Sequence, residues 1–284
     1  MNKIIPKLVG GYLNTTAPVF PKLNREHAFK ILCRVDKVPI SEEGIAFFQT
    51  ATTQYLKLPE ADVALHSWGN GPKKILFLHG WMSHSKRWQP YLDRLDLAEY
   101  TVYSIDAPAH GLSRGNKLNI EMYRHAVEET LQRTGAFHTM VCHSLGSLVG
   151  AYTFLHQPEI PVNQYVMMGA PAGLHSILDF FRDSLNLKNK TLDNLLIKVD
   201  SVLKVPAHTL TMEQFFKQVE APVLVVHEES DAVTPIAPIR DAIPKKASLQ
   251  TYFTTGQDHN LTAPETPDRI LQFITQKEKE AICI

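Results

Sequence analysis

The sequence contains little cysteine. Only Cys33, Cys142 and Cys283 occur among its 284 residues. A low, odd number argues against a disulfide framework and fits a reducing compartment, so a cytoplasmic location is expected. The start of the chain lacks the apolar core and the small-residue cleavage site of a signal peptide. No run approaches the roughly 18 apolar residues that a membrane-spanning helix needs.

Neither sign of charge is in excess. Lys+Arg and Asp+Glu both number 29, so the formal net charge is zero. This balance disfavours a broad surface for nucleic acid or anionic membranes, although it does not exclude a local basic patch. The 13 histidines include no HExxH motif and no paired metal-ligand spacing. We therefore expect no nucleic-acid partner, no membrane span, no metal and no cofactor.

From about residue 51 the sequence alternates between two patterns. Short apolar runs such as "KKILFLHG", "YTVYSIDAP", "HTMVCHS" and "APVLVVHEES" are typical of buried strands. Amphipathic stretches lie between them, such as "NIEMYRHAVEETLQRTG", with Asn119 at a plausible N-cap and Gly135 at the stop. This alternation predicts the α/β class, with a mostly parallel, doubly wound sheet.

Two segments depart from the alternation. Residues 1–50 carry no clear strand signal and are expected to form an N-terminal helical extension, including a helix capped by Asn24. Residues 173–217 place apolar side chains at helical spacing without a strand, which predicts a helical cap insertion above the strand ends. The α/β core would then comprise residues 51–172 and 218–284.

Three polar side chains follow predicted strands directly. Ser144 lies where "TMVC" meets a helix, Asp231 follows "VLVVHEES", and His259 follows "LQTYFTT". Open α/β sheets bind ligands beyond the carboxyl ends of their strands. A serine hydroxyl becomes a good nucleophile only when a base removes its proton. His259 could be that base, and Asp231 could hold its imidazole in the required tautomer.

Five motifs occur in a fixed order, "FLHGW", "SIDAPAHGLS", "CHSLGS", "HEESDAVTP" and "GQDHN". In this order they resemble the α/β-hydrolase superfamily, and the resemblance extends over about residues 50–280. It implies the α/β-hydrolase fold with a helical cap. It also implies that Ser144, Asp231 and His259 form a catalytic triad.

The resemblance further implies an oxyanion hole. Acyl transfer builds negative charge on the carbonyl oxygen, which backbone N–H groups can stabilise. The candidates are the N–H groups of Trp81 and Leu145. His79 and His110 are expected to shape the motif loops by hydrogen bonding, and His143 to fill space beneath the cap.

Two positions depart from the family pattern. Cys142 stands where the serine turn usually has its first glycine, and we expect this thiol to be a small buried filler rather than a nucleophile. Glu228 stands where a glycine usually follows the last buried strand. Glu228 or Glu229 therefore remains an alternative to Asp231 as the acid.

The sequence thus predicts a serine hydrolase that cleaves a small-molecule carboxylic ester or thioester through an acyl-enzyme. A carbon–carbon bond hydrolase with the same triad is an alternative, as is a non-catalytic ligand-binding protein with this fold. Substrate identity, acyl length and oligomeric state stay open. Some apolar residues of the predicted cap are expected to line an acyl pocket, with Leu174, Ile177, Phe180, Phe181 and Phe215 as candidates.

Overall fold

The computed structural model describes residues 4–282, with side chains from residue 5 to residue 275. Eight strands form a sheet at its centre. In chain order they are β1 (Thr52–Lys57), β2 (Asp62–Trp68), β3 (Lys73–Leu78), β4 (Tyr100–Ile105), β5 (Thr139–His143), β6 (Tyr165–Met168), β7 (Val223–Glu228) and β8 (Leu249–Thr254).

The order of strands across the sheet is β1-β2-β4-β3-β5-β6-β7-β8. β2 is antiparallel to both β1 and β4, and every other neighbouring pair is parallel. Parallel neighbours need a crossover connection, and such connections place helices over both faces of the sheet. The predicted α/β-hydrolase fold, a mostly parallel and doubly wound sheet, is confirmed.

Helices connect and cover the strands. They are α1 (Ile4–Val19), α2 (Pro21–Leu32), α3 (Glu42–Gln49), α4 (Gln89–Leu92), α5 (Ile120–Thr134), α6 (Leu145–His156), α7 (Leu174–Leu185), α8 (Asn189–Val202), α9 (Met212–Gln218), α10 (Ile236–Ala242) and α11 (Glu265–Ile282). Within the described residues none is both long and apolar enough to cross a lipid bilayer.

Side chains of the strands enter two apolar clusters, one on each face of the sheet. Leu76, Leu78 and Cys142 belong to one cluster, whereas Phe77 and Val141 belong to the other. Neighbouring residues of a strand point to opposite faces, so a strand covered on both sides is apolar throughout. This explains why the central strands read as continuous apolar runs in the sequence.

One predicted helix cap is confirmed and one is wrong. The side chain of Asn119 accepts a hydrogen bond from the N–H of Met122 at the start of α5. Asn24 does not cap a helix, because α2 already begins at Pro21, whose ring suits a first helical position. Asn24 is instead buried within α2, and its Nδ2 donates to the carbonyl of Leu13 at 2.8 Å.

The N-terminal helices α1 and α2 pack against α7 and α8. Asn194 of α8 donates from Nδ2 to the Asn24 side chain at 3.0 Å and to the Ala17 carbonyl at 3.2 Å. α1 also meets the end of α7 at Gly10, where an added Cβ would lie 1.8 Å from the carbonyl oxygen of Leu185. We call α1, α2, α7 and α8 together the helical layer.

Candidate active site

Ser144 lies at the turn between β5 and α6. Its φ of 53° and ψ of −120° fall in a region that residues with a side chain rarely adopt. Its N–H donates to the carbonyl of Met168 at 2.8 Å, which anchors the turn to β6. Such backbone strain persists only where the surroundings hold it, and both flanking elements are buried here. The turn therefore has the geometry of a nucleophile elbow.

Two glycines allow the backbone to pass close to this turn. At Gly146 an added Cβ would lie 2.3 Å from the carbonyl oxygen of Leu78. At Gly80 an added Cβ would lie 2.8 Å from the Cβ of Ser144. Both distances are shorter than any van der Waals contact, so a side chain at either position would force the backbone apart.

Cys142 is fully buried in β5, two residues before Ser144. Room for its thiol comes from Gly150 on α6, where an added Cβ would lie 2.9 Å from Cys142 Sγ. Burial raises the pKa of the thiol far above its usual range, so it stays protonated. These observations support the expectation that Cys142 fills space.

The three predicted triad side chains meet above the sheet. His259 Nε2 lies 2.9 Å from Ser144 Oγ, and His259 Nδ1 lies 2.7 Å from Asp231 Oδ2. Both distances are within the reach that a general base requires. The Asp231 carboxylate is fully buried, whereas 14% of the His259 side chain is exposed. The imidazole is therefore accessible from outside, and the carboxylate behind it is not.

Asp231 is held by its own loop as well as by His259. Its Oδ1 accepts from the N–H groups of Val233 and Thr234 at 2.8 and 2.9 Å, and its Oδ2 accepts from the Thr234 hydroxyl at 2.9 Å. Burial opposes ionisation of this carboxyl, but the hydrogen bonds, with His259 foremost, outweigh it and lower the pKa to about 2. An ionised Asp231 accepts from Nδ1–H of His259, which leaves Nε2 free to accept the serine proton.

The two alternative acids have other partners. Glu228 accepts from the Thr254 hydroxyl at 2.7 Å and from the N–H of Gln257 at 3.1 Å. Burial opposes its charge, yet hydrogen bonds led by that of Thr254 lower its pKa to about 2. Glu229 pairs with Arg240. No hydrogen bond between either glutamate and a histidine occurs in residues 4–282, and Glu228 instead joins the loops that follow β7 and β8.

The two candidate oxyanion donors are backbone groups at the start of α6 and in the loop after β3. In the described part of the chain, the N–H groups of Trp81 and Leu145 make no hydrogen bond. Leu145 is the first residue of α6, a position where the N–H has no partner within the helix. The positive end of the helix dipole adds to its attraction for an anion.

Two histidines support the loop that carries Trp81. His110 Nε2 accepts from the N–H of Met82 at 3.1 Å. His79 Nε2 accepts from the N–H of Ala107 at 2.9 Å, and its Nδ1 donates to the carbonyl of Gly80 at 2.7 Å. Burial lowers the pKa of both imidazoles, that of His79 to about 3, so both are neutral. They hold the loop in place, as the sequence predicts.

His143 and Arg87 together hold the loop that carries His259. The sequence analysis predicted no role for Arg87. His143 donates from Nε2 to the carbonyl of His259 at 2.9 Å, and its Nδ1 accepts from Arg87 at 2.8 Å. Arg87 also donates to the carbonyl of Asn260 at 3.0 Å. His143 therefore does more than fill space. In the sequence, the one indication that Arg87 lies near the site is its position in the segment after the "FLHGW" motif.

Comparison with known proteins agrees with the fold. The family model for the serine aminopeptidases, S33, matches residues 70–210. A bromoperoxidase from Bacillus anthracis is 16% identical with a TM-score of 0.60, over 79% of this chain and 100% of that one. An esterase from Exiguobacterium antarcticum is 12% identical with a TM-score of 0.60, over 79% and 100%. The chain belongs to the α/β-hydrolase superfamily.

A thioesterase domain shares the same fold. The thioesterase domain from the curacin biosynthetic pathway is 14% identical with a TM-score of 0.57, over 79% of this chain and 99% of that domain. No curated protein matches the sequence. At these identities the structural likeness establishes the fold.

An apolar cavity adjoins the elbow of this α/β hydrolase. It reaches Trp81 and Leu145, the two candidate oxyanion residues, and it also borders the helical layer and the start of α5. The helical layer lines it with Phe29, Leu32, Leu174, Ile177, Val199 and Val202, and the residues that directly follow α2 and α8, Cys33 and Leu203, line it as well. The N-terminal helix α2 thus contributes to the cavity as directly as α7 and α8 do.

The predicted lining residues are only partly correct. Leu174 and Ile177 line the cavity. Phe180 is 66% exposed and points to solvent, and Phe215 is buried in the core with its ring 5.4 Å from that of Phe154. Phe181 packs against the core cluster without lining the cavity. Helical spacing identifies apolar positions, but it does not tell which neighbour each one meets.

Within residues 4–282, no group of three or more histidine, cysteine, aspartate or glutamate side chains is arranged to hold a metal ion.

Proposed function

We propose that this α/β hydrolase is a serine hydrolase that cleaves a carboxylic ester or thioester through an acyl-enzyme. The observation that carries the proposal is the continuous hydrogen-bonded series from Ser144 Oγ through His259 to Asp231, with distances of 2.9 and 2.7 Å. The strained turn at Ser144 supports it, because such strain is retained where function requires it.

The acylation step uses each of these groups. His259 Nε2 takes the proton of the Ser144 hydroxyl while Oγ attacks the carbonyl carbon of the substrate. The bond to the leaving oxygen or sulfur then breaks, and His259 returns the proton to that leaving group. Asp231 remains ionised throughout and stabilises the positive imidazole.

The charge that develops on the substrate oxygen faces two backbone donors. Trp81 and Leu145 border the apolar cavity, and in the described structure their N–H groups make no hydrogen bond. We assign them as the oxyanion hole. Loss of one such donor typically costs about 3 kcal/mol of transition-state stabilisation.

Deacylation repeats the same chemistry with water. His259 takes a proton from a water molecule, whose oxygen attacks the acyl carbon. The ester bond to Ser144 Oγ breaks, the serine recovers its proton from His259, and a carboxylic acid leaves.

The apolar cavity suggests what the acyl group is like. Its walls are almost entirely apolar, and they include Leu174 and Ile177 of α7 together with Leu32 of α2. We therefore propose an apolar acyl group and assign residues 173–217 as a cap over the site. In this assignment α1 and α2 of the N-terminal extension complete the cap.

A serine-directed fluorophosphonate probe tests the proposal. The wild-type protein should be labelled, and Ser144→Ala should not. Ser147→Ala is the matched control, because Ser147 lies one turn away, is fully buried and bonds the Met168 carbonyl instead of a histidine. We expect this control to retain labelling.

Hydrolysis of aryl esters and thioesters of increasing acyl length then tests the substrate class. Release of the acid should follow a burst of the leaving group, since an acyl-enzyme accumulates. Folded wild-type protein that neither reacts with the probe nor hydrolyses any member of the panel would contradict the proposal. Labelling with cleavage of a β-diketone alone would instead indicate the carbon–carbon hydrolase.

A further inference from the structure

The first two helices expose large apolar side chains to solvent. Six of these side chains have between 43% and 68% of their surface exposed. They are Ile5, Leu8, Tyr12, Val19, Phe20 and Leu23. We call this group the N-terminal apolar patch.

The members on α1 lie along one side of the helix. Ile5, Leu8, Tyr12 and Val19 are separated by three, four and seven residues, which places them on one helical face. The side that carries Leu13 faces inward and is fully buried. α1 is thus apolar on its packed side and also on its outer side, where Ile5 and Leu8 are exposed among the described residues.

The patch continues onto α2. The ring of Tyr12 stacks on that of His27, with centroids 5.8 Å apart. Leu23 and His27 are four residues apart on one face of α2, and Phe20 directly precedes that helix. The exposed apolar side chains of the two helices therefore form one surface.

The same segment is locally basic. Residues 1–35 include six lysines and arginines but one acidic residue, Glu26, although the whole chain is neutral. Lys198 of α8 pairs with Glu26 at 2.9 Å. Within the described residues, four basic side chains of α1 and α2 form no ion pair: Lys7, Lys22, Arg25 and Lys30.

We propose that the N-terminal apolar patch docks this protein onto an anionic lipid surface. A helical surface with exposed apolar side chains and unpaired lysines is suited to the boundary between headgroups and acyl chains. The apolar side chains enter the boundary, and the basic side chains are attracted to anionic headgroups. Neither contribution requires a helix that spans the bilayer.

The charge also favours lipid over a second copy of the chain. A symmetric dimer through this patch would bring two identical segments together, each with six basic residues and one acidic residue. Their mutual repulsion opposes that contact, whereas an anionic surface is attracted by the same charge. On its inner side α2 lines the apolar cavity through Phe29 and Leu32, so docking would place the lipid next to the cavity wall.

Flotation with lipid vesicles tests the proposal independently of catalysis. Wild-type protein and Ser144→Ala should float equally with vesicles of phosphatidylcholine and phosphatidylglycerol, and much less with phosphatidylcholine alone. Leu8→Glu should weaken binding by at least about tenfold, because a charge replaces an inserted apolar group. Lys22→Glu should weaken it at least about fivefold, since each basic residue near the surface contributes about that factor.

Ile45→Glu is the matched control. Ile45 is 51% exposed on α3, outside the helical layer, so the same change there should leave vesicle binding unaltered. Circular dichroism should show that each variant is folded. Absence of binding to anionic vesicles, or equal binding by Leu8→Glu and Ile45→Glu, would overturn the proposal. A dimer in solution that Leu8→Glu dissociates, without vesicle binding, would also overturn it in favour of a second copy.

Discussion

Asp231 and Glu228 are two buried carboxylates three residues apart, and their neighbours give them different roles. One oxygen of Asp231 faces His259 Nδ1 at 2.7 Å. Oε1 of Glu228 accepts from the Ser230 hydroxyl and the N–H of Gly256, and Oε2 accepts from the Thr254 hydroxyl and the N–H of Gln257. We therefore propose that Asp231 orients the His259 imidazole, whereas Glu228 holds the two loops together.

Substitution of each carboxylate by its amide separates these roles. Asp231→Asn should lower kcat by about 10⁴-fold, since an amide favours the wrong imidazole tautomer. Glu228→Gln should lower the thermal unfolding midpoint but leave kcat within about tenfold of wild type. Ester hydrolysis and thermal unfolding measure the two effects. The assignment would be wrong if Glu228→Gln lost activity as completely while remaining folded.

The ionisation of Asp231 should appear in the pH dependence of stability. Its folded-state pKa of about 2 lies below the ordinary value of 3.8, so the charged form favours the folded state. This contribution, about 2 kcal/mol, is complete above about pH 4 and is lost as pH falls through the folded pKa. We expect the difference in unfolding free energy between wild type and Asp231→Asn to shrink by about 1 kcal/mol by about pH 3.

Urea unfolding at a series of pH values measures that difference. Glu228 titrates in the same range, but it is present in both proteins and its effect cancels from the comparison. A difference that stays constant between about pH 6 and about pH 3 would contradict the lowered pKa.

At the scale of elements, the junction of β5 and α6 depends on small residues on both sides. Gly146 approaches the backbone of β3, and Gly150 approaches the thiol of Cys142. The superfamily pattern usually has glycine at the position of Cys142. In this chain Gly150, one helical turn after Gly146, leaves room for the larger cysteine side chain. The pair of Cys142 and Gly150 therefore preserves the close packing that the elbow needs.

A double-mutant cycle tests this compensation. Gly150→Ala should lower the unfolding free energy by about 1–2 kcal/mol more in the wild-type background than in the Cys142→Ala background. The reason is that the added methyl group meets Sγ only when Cys142 is present. Chemical denaturation measures all four proteins. Additive effects of the two substitutions would show that the pair is not coupled.

Gly146→Ala should have a larger effect at the same junction. The added Cβ would lie 2.3 Å from a main-chain oxygen, which cannot rotate away as a side chain can. We expect a loss of at least about 3 kcal/mol of unfolding free energy and the loss of fluorophosphonate labelling. A stable, fully labelled Gly146→Ala protein would contradict the close approach of α6 to β3.

At the scale of the whole molecule, the helical layer joins segments from two distant parts of the chain. α2 comes from the N-terminus and α8 from the insertion after β6, and Asn194 and Asn24 bond across them. The cavity beside the elbow needs both segments, because Leu32 and Val199 each form part of its wall. Under the proposed function, the N-terminal helices therefore influence substrate selection.

Enlarging a residue on α2 tests that influence. Leu32→Trp should reduce kcat/KM for long acyl esters by at least about tenfold relative to short ones, because the new ring occupies the cavity. Leu23→Trp on the outer side of the same helix is the matched control, since Leu23 is 47% exposed. Equal acyl-length profiles for the two variants would indicate that α2 does not limit the substrate.

The sequence by itself determined the strands, the order of the motifs and the α/β-hydrolase fold. These features are local, because an apolar run or a capped amphipathic stretch carries its periodicity within a few residues. It also placed Ser144, Asp231 and His259 each just beyond a strand. Parallel strands bring such positions to one edge of a sheet, and the three side chains do meet there.

Only the tertiary structure decided what packs against what. Asn24 bonds Asn194, Arg87 bonds His143, and Phe215 packs against Phe154, and the two residues of each pair are distant in the chain. Periodicity shows that a helix has an apolar side, but it names no partner for that side. The pairing of the N-terminal helices with the insertion, and the exposed apolar face left on α1, therefore emerged only once the chain was folded.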